Sequence, residues 1–190
     1  IKGGGDPASA ARAIFQTGEY DFGWNVQIEP NLADELINDD SAGFIVADPG
    51  TNVERITVQF ADPHTEVDGQ RSEVNTPNPV LSDTAMRQAI NLCIPRQLIA
   101  DEFYGFGQPP TSNILAGLDD FTSPNTTWEL NTEKAAQILE EAGWELDGEY
   151  RVKDGVQARV TLSTTTASVR QRSQVVIQQA CKEAGIEVQL

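Results

Sequence analysis

Apolar positions recur at helical spacing in several stretches, each bounded by residues that start and stop helices. Asp6-Pro7 opens a helix running to about Thr17, with Ala10, Ala13 and Ile14 inward and Gly18 as its stop. Residues 31–38 form a second short helix with Leu32, Leu36 and Ile37 apolar. Ser82 caps the next, with Asp83 in its first turn and Met86, Ala89, Ile90 and Cys93 as its buried stripe. Pro95 breaks that helix and starts another over 95–103. Asn131 caps a helix with Ala135, Ile138, Leu139 and Ala142 on one face, ended by Gly143. Ser168 caps a long helix that turns Val169, Val176, Ile177, Ala180, Cys181 and Ala184 inward and ends at Gly185.

Between these lie stretches with strand character. A short opening strand precedes Gly3-Gly4-Gly5, and further strands are expected over 20–25, 44–47 and 53–60. Over 53–60, Ile56, Val58 and Phe60 share one face and Arg55, Thr57 and Gln59 the other. Lys153-Asp154-Gly155 turns a hairpin between strands 150–153 and 156–164, and 186–190 is a last strand. Helices and strands are intermixed with no internal repeat, so the fold class expected is α/β of the α+β kind, a mixed sheet flanked by helices. Two long polar connections, 61–81 and 105–130, are candidates for function. The chain begins and ends on strands without polar tails, and is read as one domain cut from a longer protein.

Composition narrows the function. The 190 residues suffice for a real core. Asp plus Glu number 29 against 13 Lys plus Arg, a net charge of −16 that excludes a phosphate-binding basic face and opposes docking on anionic lipid. No apolar run approaches the ~20 residues of a membrane span, and residues 1–5 do not read as a signal peptide. Cys93 and Cys181 are far apart and His64 is the only histidine, so no zinc, iron–sulfur or haem ligand set is present and no cofactor is expected. A single disulfide is formally open; both cysteines sit in apolar helical patterns and are expected as buried free thiols.

Catalytic patterns are absent from the sequence: no Gly-x-Ser-x-Gly, no phosphate loop, no spaced third glycine after Gly3-Gly4-Gly5. His64 reads as a solvated loop residue, and Asp39-Asp40, Asp119-Asp120 and Glu140-Glu141 as solvated acidic faces. Asp119-Asp120 lacks the rest of a calcium loop, and the sequon Asn125-Thr126-Thr127 is too short to carry weight. No catalytic or metal-ligating residue is assigned, and the chain is not expected to be an enzyme. The run Tyr20-Asp21-Phe22-Gly23-Trp24-Asn25-Val26-Gln27 has two readings. Its alternating aromatics can share a core face, or Trp24 can stack on a polar ligand held by Asn25 and Gln27, with Gly23 permitting close approach to the backbone.

The run Leu81-Ser82-Asp83-Thr84-Ala85-Met86-Arg87-Gln88-Ala89-Ile90, continuing to Pro95-Arg96-Gln97-Leu98-Ile99, resembles the "L-S-D-x-x-V-R-Q-A-I-x-x-A-I-D-R-x-x-I" segment of the family 5 extracellular solute-binding proteins. Further resemblances follow in the family's order: Gly18-Glu19-Tyr20-Asp21 to its "sGeiD" turn, Tyr104-Gly105 through Pro109 to its "G-x-G-x-P" loop, Glu133 through Trp144 to its "A-G-W" helix, and Arg170 through Leu190 to its last helix and strand. Met86 and Pro95 stand where the family often has Val and Asp; Met still fills core space and Pro still opens the following helix. The resemblance implies a periplasmic-binding-protein type II-like lobe, most of the second lobe of a two-lobe receptor of an ABC importer. It implies a peptide, nickel-chelate or oligosaccharide ligand, peptide being commonest, held between lobes by hinge closure. It also implies an ABC permease and the first lobe of the same chain as partners, and a periplasmic or extracellular, lipid-anchored protein. A sensor or chaperone role on the same fold is the alternative. The ligand-binding residues expected are Trp24, Asn25 and Gln27 after the "sGeiD"-like turn, with Gln59 on the polar face of 53–60. The loops 61–81 and 104–113 are candidates for the cleft rim or permease contact.

Overall fold

The computed structural model describes residues 5–38, 43–47, 50, 52–106, 109–115, 117–125 and 127–190. The expected opening strand, Asp39-Asp40, Gly107 and Thr126 of the sequon lie outside the described residues.

Helices form where caps and apolar spacing agree. α1 (Pro7–Phe15) is capped by Asp6, whose carboxylate accepts from Ser9 N at 2.7 Å. α2 (Pro30–Ile37) buries Leu32, Ala33 and Leu36 and leaves Ile37 half exposed. The next helix, α3 (Thr84–Cys93), is capped by Asp83 rather than Ser82, because Asp83 Oδ1 reaches Ala85 N at 2.8 Å. α4 (Arg96–Ile99) runs on into a π-helical turn, Ala100–Tyr104, over the stretch expected to be helical. Asn131 caps α5 (Thr132–Glu141) by accepting from Lys134 N, as its position predicts. α6 (Ser168–Glu183) starts one residue early, with Ala167 at the cap.

The strands fall into three small sheets, which gives the α+β class in its mixed-helix, small-sheet form. β1 (Glu66–Val67) and β2 (Gln70–Arg71) make a hairpin inside the connection expected to be irregular. β3 (Glu145–Asp147), β4 (Tyr150–Lys153) and β5 (Val156–Gln157) are antiparallel. β6 (Arg159–Thr161) runs parallel to β7 (Glu187–Gln189) with Val160 opposite Val188. The expected strand 156–164 thus changes partner at buried Ala158, which donates to Arg151 O and accepts from Glu187 N.

Residues 20–25, 44–47 and 53–60 form no strand. Alternation fixes which side chains share a face but supplies no neighbouring strand, and among the described residues none pairs with them.

The cysteines are not free thiols: Cys93 and Cys181 form a disulfide, with Cα atoms 4.9 Å apart. The helical stripes that point each cysteine inward place both sulfurs in one core, where α3, α5 and α6 pack together. That core holds Met86, Ala89, Leu139, Trp144, Ile177 and Ile186. A second, smaller cluster gathers Ala11, Leu32 and Leu36 with Phe15, Val26, Ile28 and Ile45.

Candidate functional site

The segment after α1 carries the expected binding residues. The backbone at Gly23 is closely approached: a Cβ there would lie 2.6 Å from Ile14 Cδ1. The group that approaches this backbone is therefore a side chain of α1. Val26 and Ile28 then turn into the smaller cluster. That anchoring leaves the preceding aromatics outside, with Phe22 78% and Trp24 81% exposed. The core-face reading of the alternating aromatics does not hold for these two. Asn25 sits at φ 55°, a left-handed conformation that asparagine tolerates, and is exposed; Gln27 is half buried. These three residues are neighbours on one open segment. Gln59 is exposed on the separate stretch 52–60, and among the described residues no hydrogen bond joins it to them.

Two arginines on α6 tie these N-terminal segments to the main core. Arg170 Nη2 donates to Glu54 Oε2 at 3.1 Å, and its Nε lies 3.0 Å from Oε1. The hydrogen bond to Glu54 raises the arginine's pKa, while burial raises that of nearby Tyr104. Arg172 Nη1 donates to Glu29 Oε2 at 2.6 Å and stacks 4.4 Å from the centre of the Phe103 ring.

Sequence reasoning assigned no site to the space between α4 and the loop 109–130. There a mainly apolar cleft of about 440 Å3 is walled by Ile94, Pro95, Leu98, Trp128 and Leu130, with Arg96 and Glu129 at its polar edge. Arg96 is pinned by donating to Asn91 O at 2.8 Å and Asn91 Oδ1 at 2.9 Å, and burial lowers its pKa. Ser112 Oγ accepts from Trp128 N at 3.1 Å and ties two of the cleft's wall segments together. Pro110, Thr111 and Ser112 also line this cleft. Its walls come from segments more than ten residues apart, which no local spacing rule joins. The other expected rim, 61–81, is ordered by Asp62: its carboxylate accepts from Thr65 Oγ1 and His64 N, and these bonds hold it below the ordinary carboxylate pKa.

The profile of the bacterial extracellular solute-binding proteins, family 5, matches residues 2–190. The chain belongs to that family. Among curated relatives, the oligopeptide-binding protein AppA of Bacillus subtilis (strain 168) is 34% identical over 122 residues, 60% of this chain and 22% of that one. Among solved structures, the oligopeptide-binding protein from Thermus thermophilus complexed with pentapeptide has a TM-score of 0.53 at 28% identity, covering 57% of this chain and 19% of that one. NikA from Brucella suis in complex with Fe(III)-EDTA has a TM-score of 0.52 at 25% identity, covering 60% and 24%. The chain spans about a fifth of the length of the curated relatives it matches. Family 5 is a family of binding proteins rather than of enzymes, and its extracellular setting accords with the disulfide, since such bonds persist in oxidising compartments.

Proposed function

We propose that this chain is part of the substrate-binding component of an ABC importer for peptides. In this reading its 190 residues are most of the second of two lobes, which close by a hinge around the ligand. The closed receptor then delivers the peptide to a membrane permease, with a lipid anchor holding the whole protein at the cell surface. The observation that carries the reading is the family match over 2–190, joined to oligopeptide-binding relatives at about one-third identity. Trp24, Asn25 and Gln27 form this lobe's ligand-facing segment, and Gln59 adds a further amide from the stretch 52–60. An exposed indole and amides suit main-chain groups of varied peptides, directly or through water.

The test is native mass spectrometry of the full-length receptor purified without denaturation. A spread of added masses matching short peptides is expected, and Trp24→Ala should weaken peptide retention about tenfold, near 1.4 kcal/mol. The likeness to NikA supports a metal-chelate ligand as the second reading. A single sharp added mass with a transition-metal isotope pattern would establish it and end the peptide reading.

A further inference from the structure

The Cys93–Cys181 bond joins residues 88 apart in sequence, on two helices that meet only in the folded chain. Both cysteines are 0% exposed. Their neighbours in the cluster include Met86, Ala89, Ala135, Leu139 and Ile177, all apolar. Thiol–disulfide exchange needs a thiolate to reach a sulfur along the S–S axis, and an apolar shell both blocks that approach and disfavours the thiolate. With α3, α5 and α6 closed, an outside reagent reaches the bond only through an opening of the core.

We infer that Cys93–Cys181 is made on the open chain, by exchange with a disulfide-carrying protein oxidant outside the cytoplasm, before the core closes and seals it. In the first step one cysteine thiolate attacks the oxidant's disulfide, forming a mixed disulfide and releasing one oxidant thiolate. In the second, the other cysteine thiolate attacks the chain-side sulfur of the mixed disulfide. That forms Cys93–Cys181 and expels the oxidant's second thiolate. Two electrons pass to the oxidant, and the two protons given up by the cysteines balance its two new thiols. The partner is defined by this chemistry and by the compartment in which such bonds last. The inference is independent of which solute the receptor carries.

Two measurements on the full-length protein test it, with the linkage followed by peptide mapping. In the first, native protein is held in dithiothreitol with and without urea. Reduction in buffer should be at least about 100-fold slower than in urea, because it must wait for opening of the core. Equal rates in the two would show an accessible bond and overturn the sealing step. In the second, the protein is exported in a host lacking its extracytoplasmic thiol oxidase. The expected result is accumulation of the unlinked chain, restored to the linked form when the oxidase is supplied. Full linkage without the enzyme would overturn the need for a protein oxidant.

Discussion

Asp83 does several jobs with one carboxylate. Oδ1 caps α3, while Oδ2 accepts from the buried Trp144 indole at 3.0 Å and from Lys153 Nζ at 2.9 Å. Burial alone would raise its pKa, but the hydrogen bonds from Lys153, Trp144 and Ala85 N outweigh it and hold the group below the ordinary 3.8. A depressed native pKa gives stability that is present above the unfolded value and lost as pH falls through the native one. Urea midpoints should therefore drop below about pH 4 more steeply for the wild type than for Asp83→Asn. At neutral pH Asp83→Ala should cost roughly 2–4 kcal/mol, a lost cap plus an unpaired indole N–H. Arg151 is the other decisive residue: nearly buried, it donates from Nε to Ala184 O at 3.0 Å and from Nη1 to Trp144 O at 2.6 Å. Gly185 lies against it at φ +80°, where a Cβ would sit 2.8 Å from Arg151 Cγ. Gly185→Ala should cost about 2 kcal/mol or more, read as a lower melting temperature. Asp83 was legible as a helix-start residue. Arg151 was not, because a charge in a short strand reads as surface until its carbonyl partners, Trp144 O and the more distant Ala184 O, are brought to it.

At the scale of elements, helices were legible to within a residue or two because their caps are local chemistry. The strands were legible where a turn such as Lys153-Asp154-Gly155 forces a partner alongside, and at the chain's last strand, where β7 runs parallel to β6. Over 53–60 alternation defines a face but no neighbour, and Ile56 and Phe60 stay exposed. The candidate site shows the same divide: the exposure of Trp24 goes with the anchoring of Val26 and Ile28 in the smaller cluster, a packing that spacing does not reveal. The α3–α6 disulfide was misread as two free thiols for a similar reason, since helical periodicity places each cysteine inward without saying that the two stripes meet. Its closure removes chain entropy worth about 4.5 kcal/mol for a loop of this length. The double variant Cys93→Ala, Cys181→Ala should lose most of that. A urea midpoint within error of the wild type would show instead that packing alone holds α3 on α6.

At the scale of the whole molecule, two charge effects oppose one another. The net charge of −16 repels itself and works against compactness, while Arg172–Glu29 ties α2 of the smaller cluster, and Arg170–Glu54 the stretch 52–60, to α6 by opposite charges. Both pairs are partly exposed and therefore sensitive to screening. Raising KCl from low salt to about 1 M shortens the screening length to about 3 Å. Relief of self-repulsion should then raise the urea midpoint of the main core, while loss of the arginine bridges loosens residues 6–38. Hydrogen exchange resolves the two: amides of α3, α5 and α6 should become better protected in salt, and those of α1 and α2 less so. Arg170→Gln with Arg172→Gln should reproduce the second change at low salt without the first. If both groups of amides instead move together, the Arg172–Phe103 stack and the packing of Pro30 on Gly105 suffice to make the two clusters one cooperative unit, and the charges between them are incidental.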